Sequence, residues 1–227
     1  MTLTTLIQES EVLPVLVSLP KNDIELAKAA IRGGAAGVKV HLNAHHRASG
    51  TVFGTFQEEL PFLKELSALG VPLAIMVGQD VVPTITEMNQ LGALGFQGFN
   101  LYLHHLQPWL LEAPLRPILA LPHAWTEEDM AKLLGVKDAW IEASIVDPSD
   151  YGKPLTEEDV DQYREIVKRS KRPVIVPSQK KVTVADLSYL KKAGVSALLV
   201  GVIVTGATPE SMEASVRTLV DAAHALA

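Results

Sequence analysis

Leu69-Gly70-Val71-Pro72-Leu73 is the stretch on which the reading of the fold turns. A leucine that closes a helical pattern is followed by Gly, and apolar strand-like residues begin at once. Gly in that place takes up the left-handed backbone that ends a helix, which other residues reach only with strain. The same phrase recurs at Gly34-Ala35-Ala36-Gly37-Val38, Leu94-Gly95-Phe96, Leu134-Gly135-Val136 and Ala193-Gly194-Val195. Helix followed by strand through a short link, repeated along a chain, builds a parallel sheet. In a barrel of that kind, chemistry sits at the C-terminal ends of the strands.

Working outward, strands are predicted at 13–18, 37–42, 71–77, 96–102, 116–121, 139–143, 173–177 and 196–201. A leading helix is read at 3–9, and further helices at 22–32, 56–69 and 82–91, with a short one near 108–112. Asn22-Asp-Ile-Glu25, Thr126-Glu-Glu-Asp129, Thr156-Glu-Glu-Asp159 and Thr183-Val-Ala-Asp186 read as helix starts, and Thr208-Pro209 opens the last helix. Eight strand units without a G-x-G-x-x-G turn favour an α/β closed (β/α)8, or TIM, barrel over a doubly wound sheet. The expectation is a single barrel domain over 1–227 with a short leading helix.

Composition narrows the function classes. The 227 residues are 48% hydrophobic and 20% charged, enough for a large core. No apolar run suits a membrane span, and the first ten residues lack a basic region of the signal-peptide type. With no cysteine, disulfides, thiolate metal sites and a Cys nucleophile are excluded, and a cytoplasmic location is expected. Net charge is −6, and the one basic cluster, Lys168-Arg-Ser-Lys-Arg172, falls at a helix end where positive charge is favourable. No nucleic-acid or membrane partner is expected, and a homodimer is expected on base rates alone.

Side chains alternate along a strand, so parity separates the barrel interior from its helical coat. In the second strand Val38, Val40 and Leu42 share one parity, which points Lys39 and His41 into the barrel. A charged Lys there needs a partner. Glu142 of the sixth strand is the candidate, although its parity mate Trp140 is large for a barrel interior. Lys39, Glu142 and His41 are therefore the candidate catalytic set. Asn100 and His104 end the fourth strand on one parity, His123 follows the fifth, and Asn43, His45 and Arg47 lie in a donor-rich polar loop, 43–55. Asn43, Asn100, His104 and His123 are the candidate substrate ligands. Barrels often hold phosphate in the loops after strands seven and eight. Ser178, Gln179, Gly201 and Val202 are the candidate phosphate ligands, with Lys180 as an additional contact. No metal ligand is assigned and no cofactor is expected. The crowding of six of the seven His at the strand ends and the loops that follow them keeps a divalent-metal alternative open.

Pro173-Val-Ile-Val-Pro-Ser-Gln-Lys-Lys-Val-Thr-Val-Ala-Asp-Leu187 and Lys192-Ala-Gly-Val-Ser-Ala-Leu-Leu-Val-Gly-Val-Ile-Val-Thr-Gly206 resemble the end of ribulose-phosphate-binding barrels. Within that superfamily the chain is most similar to N-acetylmannosamine-6-phosphate 2-epimerases. Ala36-Gly-Val-Lys-Val40 looks like their second strand, with Lys39 where they carry Arg, and Val71-Pro-Leu-Ala-Ile-Met-Val-Gly-Gln-Asp80 looks like their third. The family's catalytic Lys falls at Gly78 here, and its acidic-Gly turn after strand seven is replaced by Pro177-Ser178. The resemblance implies an isomerase, epimerase or lyase working on a small phosphorylated sugar by proton transfer beside a carbonyl. The alternatives are a metal-dependent lyase or hydrolase using the His-rich rim, and a non-catalytic metabolite-binding barrel.

Overall fold

The computed structural model describes residues 1–226. Eight parallel strands close into a barrel: β1 (Val15–Ser18), β2 (Gly37–His41), β3 (Leu73–Met76), β4 (Phe96–Tyr102), β5 (Arg116–Leu121), β6 (Trp140–Ala143), β7 (Val174–Pro177) and β8 (Ala197–Val200). Each strand pairs with its sequence neighbours, and β1 pairs with β8 to shut the ring. The helices are α1 (Leu3–Glu9), α2 (Ile24–Arg32), α3 (Phe56–Ser67), α4 (Ile85–Ala93), α5 (Glu127–Gly135), α6 (Glu157–Ser170), α7 (Leu187–Lys192), α8 (Val202–Thr205) and α9 (Pro209–His224). Among the described residues, no helix is long and apolar enough to cross a membrane.

The parity argument decides the packing. Val38, Val40, Phe99, Leu101, Leu119, Leu121, Ile141 and Leu198 join the core between strands and helices. Trp140 instead belongs to a separate cluster inside the barrel, with Leu16, Ile118, Ile175 and Leu199. Its bulk is accommodated because Ala74 and Ala197 share that layer, while Leu3 and Ile7 of α1 close it from below. Gly98 serves the same close packing: a β-carbon there would meet Ile118 Cδ1 at 2.8 Å and Leu3 Cδ2 at 3.2 Å. Arg116 lies 4.9 Å over the Trp140 ring. A bulge at Gln97 shifts the β3–β4 register, and the Gln97 side-chain oxygen accepts the Leu3 N–H at the start of α1.

Several local expectations are corrected. Asp23, not Asn22, caps α2, accepting from the Glu25 and Leu26 N–H groups. Asn22 turns to the barrel rim and donates to the His41 carbonyl at 2.8 Å. Gly34, Gly70, Gly95 and Gly194 have positive φ, but Gly135 does not; Asp138 (φ 56°) takes the left-handed turn before β6. The unit after β4 holds two 3₁₀ turns, Leu103–His105 and Pro108–Glu112, and no α-helix. Pro108 and Pro114 bracket that segment and limit its helical run. The polar loop after β2 contains a small hairpin in which His45–His46 pair antiparallel with Thr51–Val52.

Candidate functional site

β2 and β6 lie on opposite sides of the ring, and their inward side chains meet across it. Lys39 Nζ sits 2.6 Å from Glu142 Oε2, and both side chains are less than a tenth exposed. The other carboxylate oxygen accepts from Ser144 Oγ at 3.0 Å. Asn100 donates to the Ile118 carbonyl at 2.9 Å, which holds its side chain while leaving the amide oxygen without a protein partner among the described residues.

Beside the ion pair, His41 is 2% exposed. Its Nε2 is 3.5 Å from Ser18 Oγ, and its buried Nδ1 has no partner among the described residues. Burial, with help from the Lys39 charge, drives its pKa well below the ordinary imidazole range, so the ring is neutral. His46 follows it down to about 4, mainly through burial and secondly through Lys39. Burial pushes the Tyr102 phenol up to about 12, so it keeps its proton.

These groups line one cavity of about 470 Å³ at the C-terminal ends of the strands, a volume suited to a small metabolite. Lys39, His41, Asn100, His104, His123, Glu142, Ser178, Gln179, Gly201 and Val202 all reach its wall. Asn43 does not: it has φ 48° and donates to the Val77 carbonyl at 3.2 Å, bracing the hairpin's base. Lys180 also turns away, buried between Asp150 (3.3 Å) and Asp159 (3.5 Å). Gln179 lines the wall with its amide committed, accepting from Val146 N at 3.2 Å and donating to Tyr151 OH at 2.6 Å. The Gly201 N–H is likewise taken, by Ser178 Oγ at 2.8 Å. The Val202 and Ile203 N–H groups at the start of α8 have no acceptor among the described residues.

His104 and His123 are exposed at the mouth. Alternation fails for His104 because β4 ends at Tyr102 and a 3₁₀ turn follows; the His104 ring stacks on Tyr102 with centroids 5.6 Å apart. His105 faces Asp80 at 3.5 Å and His123 faces Asp147 at 3.7 Å. Among the described residues, no three His, Asp or Glu side chains converge as a metal site. Ser18, Tyr102, Ser144 and Tyr151 are cavity residues that the sequence reading passed over. Parity marks the first three, each one step of two beyond an inward residue; nothing local marks Tyr151.

The buried imidazoles make stability depend on pH. The unfolded chain binds protons near pH 6.5 at His46, whereas the fold delays binding to about 4. The unfolded state therefore holds more protons between these values, and folding stability is full above 6.5 and lost as pH falls toward 4. His41 acts in the same direction. Urea midpoints at pH 7.5 and 5 should differ less in His46→Phe than in the wild type; an equal difference would remove His46 as the cause.

The protein is thus a (β/α)8 barrel with a polar, charge-paired cavity at the C-terminal ends of its strands. No protein-family profile matches the chain, and no curated sequence matches it. Solved structures do resemble it. KGPDC from Streptococcus mutans superposes with a TM-score of 0.69 at 13% identity, covering 94% of this chain and 98% of that one. Phosphoribosyl anthranilate isomerase from Thermus thermophilus gives 0.64 at 16% identity, with 95% and 100% covered. Thiamine phosphate pyrophosphorylase from Pyrococcus furiosus gives 0.63 at 12%, with 94% and 96% covered. At such identities the likeness establishes the fold. None of these three is named an epimerase.

Proposed function

We propose that this chain is an enzyme acting on a small phosphorylated sugar or related metabolite, moving a proton beside a carbonyl as an isomerase, epimerase or lyase does. The observation that carries this reading is the buried Lys39–Glu142 pair on a metabolite-sized cavity. The Lys39 ammonium would stabilise the negative charge that develops on a carbonyl oxygen during enolisation, because fixed positive charge there favours the transition state. Glu142 takes the proton from the adjacent carbon as the C–H electron pair moves into the enediolate. Delivering a proton to the opposite face of the same carbon gives epimerisation; delivering it to the neighbouring carbon, with the hydroxyl proton passing between the two oxygens, gives isomerisation. Neutral His41 and Asn100 orient substrate oxygens. The Ser178 hydroxyl and the Val202 and Ile203 N–H groups hold the phosphate; two of the similar folds bear names of phosphorylated compounds, which supports that assignment.

The test is solvent exchange. A panel of aldose and ketose phosphates incubated with the protein in D₂O should gain deuterium at the carbon beside the carbonyl. The rate should fall about a hundredfold or more in Glu142→Gln. Binding of a sugar phosphate with no exchange above background would sink the catalytic reading.

A further inference from the structure

Among the described residues the cavity wall carries two full cations, Lys39 and Arg47, against a single carboxylate, Glu142. Glu142 is spent on Lys39. Arg47 has no acidic partner within ion-pair distance among the described residues, in a chain whose net charge is −6. An exposed Arg left over a cavity in an acidic protein is a candidate for binding an anion that the protein does not supply.

The hairpin that carries Arg47 is held in place. It opens the four-residue turn, 47–50, of the hairpin after β2. The Gly50 N–H donates to the His46 carbonyl at 2.8 Å, and the Phe53 N–H donates to the Ala44 carbonyl at 2.8 Å. Underneath, Phe53 stacks on buried His41 at 4.6 Å, and His46 packs on the same ring at 4.9 Å. The hairpin is thus pinned to the ion-pair end of β2 by three rings. Arg47 thereby lines the mouth of the cavity from the β2 side. The phosphate donors of the proposed site lie elsewhere, on the loops after β7 and β8.

We propose that the substrate carries a second anionic group, a carboxylate or a further phosphoryl, and that Arg47, on a different loop from the proposed phosphate donors, binds it. This rests on the phosphorylated-metabolite reading above and adds the chemical class of the second group. A planar guanidinium suits both groups through paired N–H contacts.

Matched probes test it by calorimetry: glucose 6-phosphate against 6-phosphogluconate, and fructose 6-phosphate against fructose 1,6-bisphosphate. At least one doubly anionic member should bind about tenfold tighter than its mate. The pair showing the gap identifies carboxylate or phosphoryl. Arg47→Gln, at an exposed turn, should abolish the gap and leave monophosphate affinity unchanged. Monophosphate binding without a gap, or a gap that survives Arg47→Gln, overturns this inference alone. No binding of any phosphate probe overturns the parent reading with it.

Discussion

Glu142→Leu should destabilise the fold by about 3 kcal/mol, the low end of the range for breaking a buried ion pair, because the open cavity lets water reach the stranded ammonium. Lys39 is otherwise surrounded by barrel wall, and its nearest compensating charge is the carboxylate 2.6 Å away. Lys39→Met should have a comparable effect, stranding Glu142 with only the Ser144 hydroxyl as partner. Combined, Lys39→Met/Glu142→Leu should recover most of the loss, since apolar replacement of both members removes two desolvated charges together. Urea unfolding with an unchanged slope would read this directly, and the melting temperature should move about 2–4 °C per kcal/mol in a domain of this size. Solvent exchange should be abolished in all three variants. That split, stability restored while chemistry stays lost, is what a purely structural ion pair would not give. A double variant no more stable than the singles would show that the two charges are not a coupled unit.

Gly78→Lys should fail to install the lysine that the epimerase resemblance places there, and should cost about 3 kcal/mol or more in stability. Gly78 has φ +148°, a region L side chains rarely occupy, and a β-carbon there would lie 2.0 Å from the Val81 carbonyl oxygen. The obstruction is backbone, so no rotamer relieves it. The next side-chain contact, Asn43 Cβ at 3.2 Å, belongs to the residue that ties the hairpin base to Val77. Opening the loop after β3 would therefore disturb the hairpin that carries Arg47. Gly78→Ala should show nearly the same loss, separating backbone strain from any effect of added charge. If Gly78→Lys folded with wild-type stability and epimerised N-acetylmannosamine 6-phosphate, proton transfer would belong to strand three, and the proposed roles of Lys39 and Glu142 would fall.

The positions of Lys39, His41, Asn100 and Glu142 were legible in the sequence because strand alternation is a local rule, enforced at each residue by the geometry of extended backbone. The rule stopped working where the backbone stopped being extended. His104 was placed by alternation, yet a 3₁₀ turn begins at Leu103 and carries it out to the mouth. Asn43 was assigned to substrate as part of the polar loop, yet at φ 48° it turns its amide onto the Val77 carbonyl. Gln179 and Lys180 were read as free donors because their partners, Tyr151, Asp150 and Asp159, sit in the preceding unit about 20–30 residues away, brought alongside by β6–β7 pairing.

By itself the sequence determined the repeated helix–Gly–strand rhythm, the helix starts at Thr126, Thr156 and Thr208, and the division of each strand into a core face and an inner face. These depend on capping, backbone freedom and side-chain period, all set within a few residues. Only the tertiary structure decided that Lys39 meets Glu142 across 103 positions of chain, that Trp140 fits inside because Ala74 and Ala197 make room, and that three packed rings pin the hairpin that carries Arg47. Those contacts depend on ring closure and on the volumes of side chains contributed by different strands, quantities that no local stretch of the chain encodes.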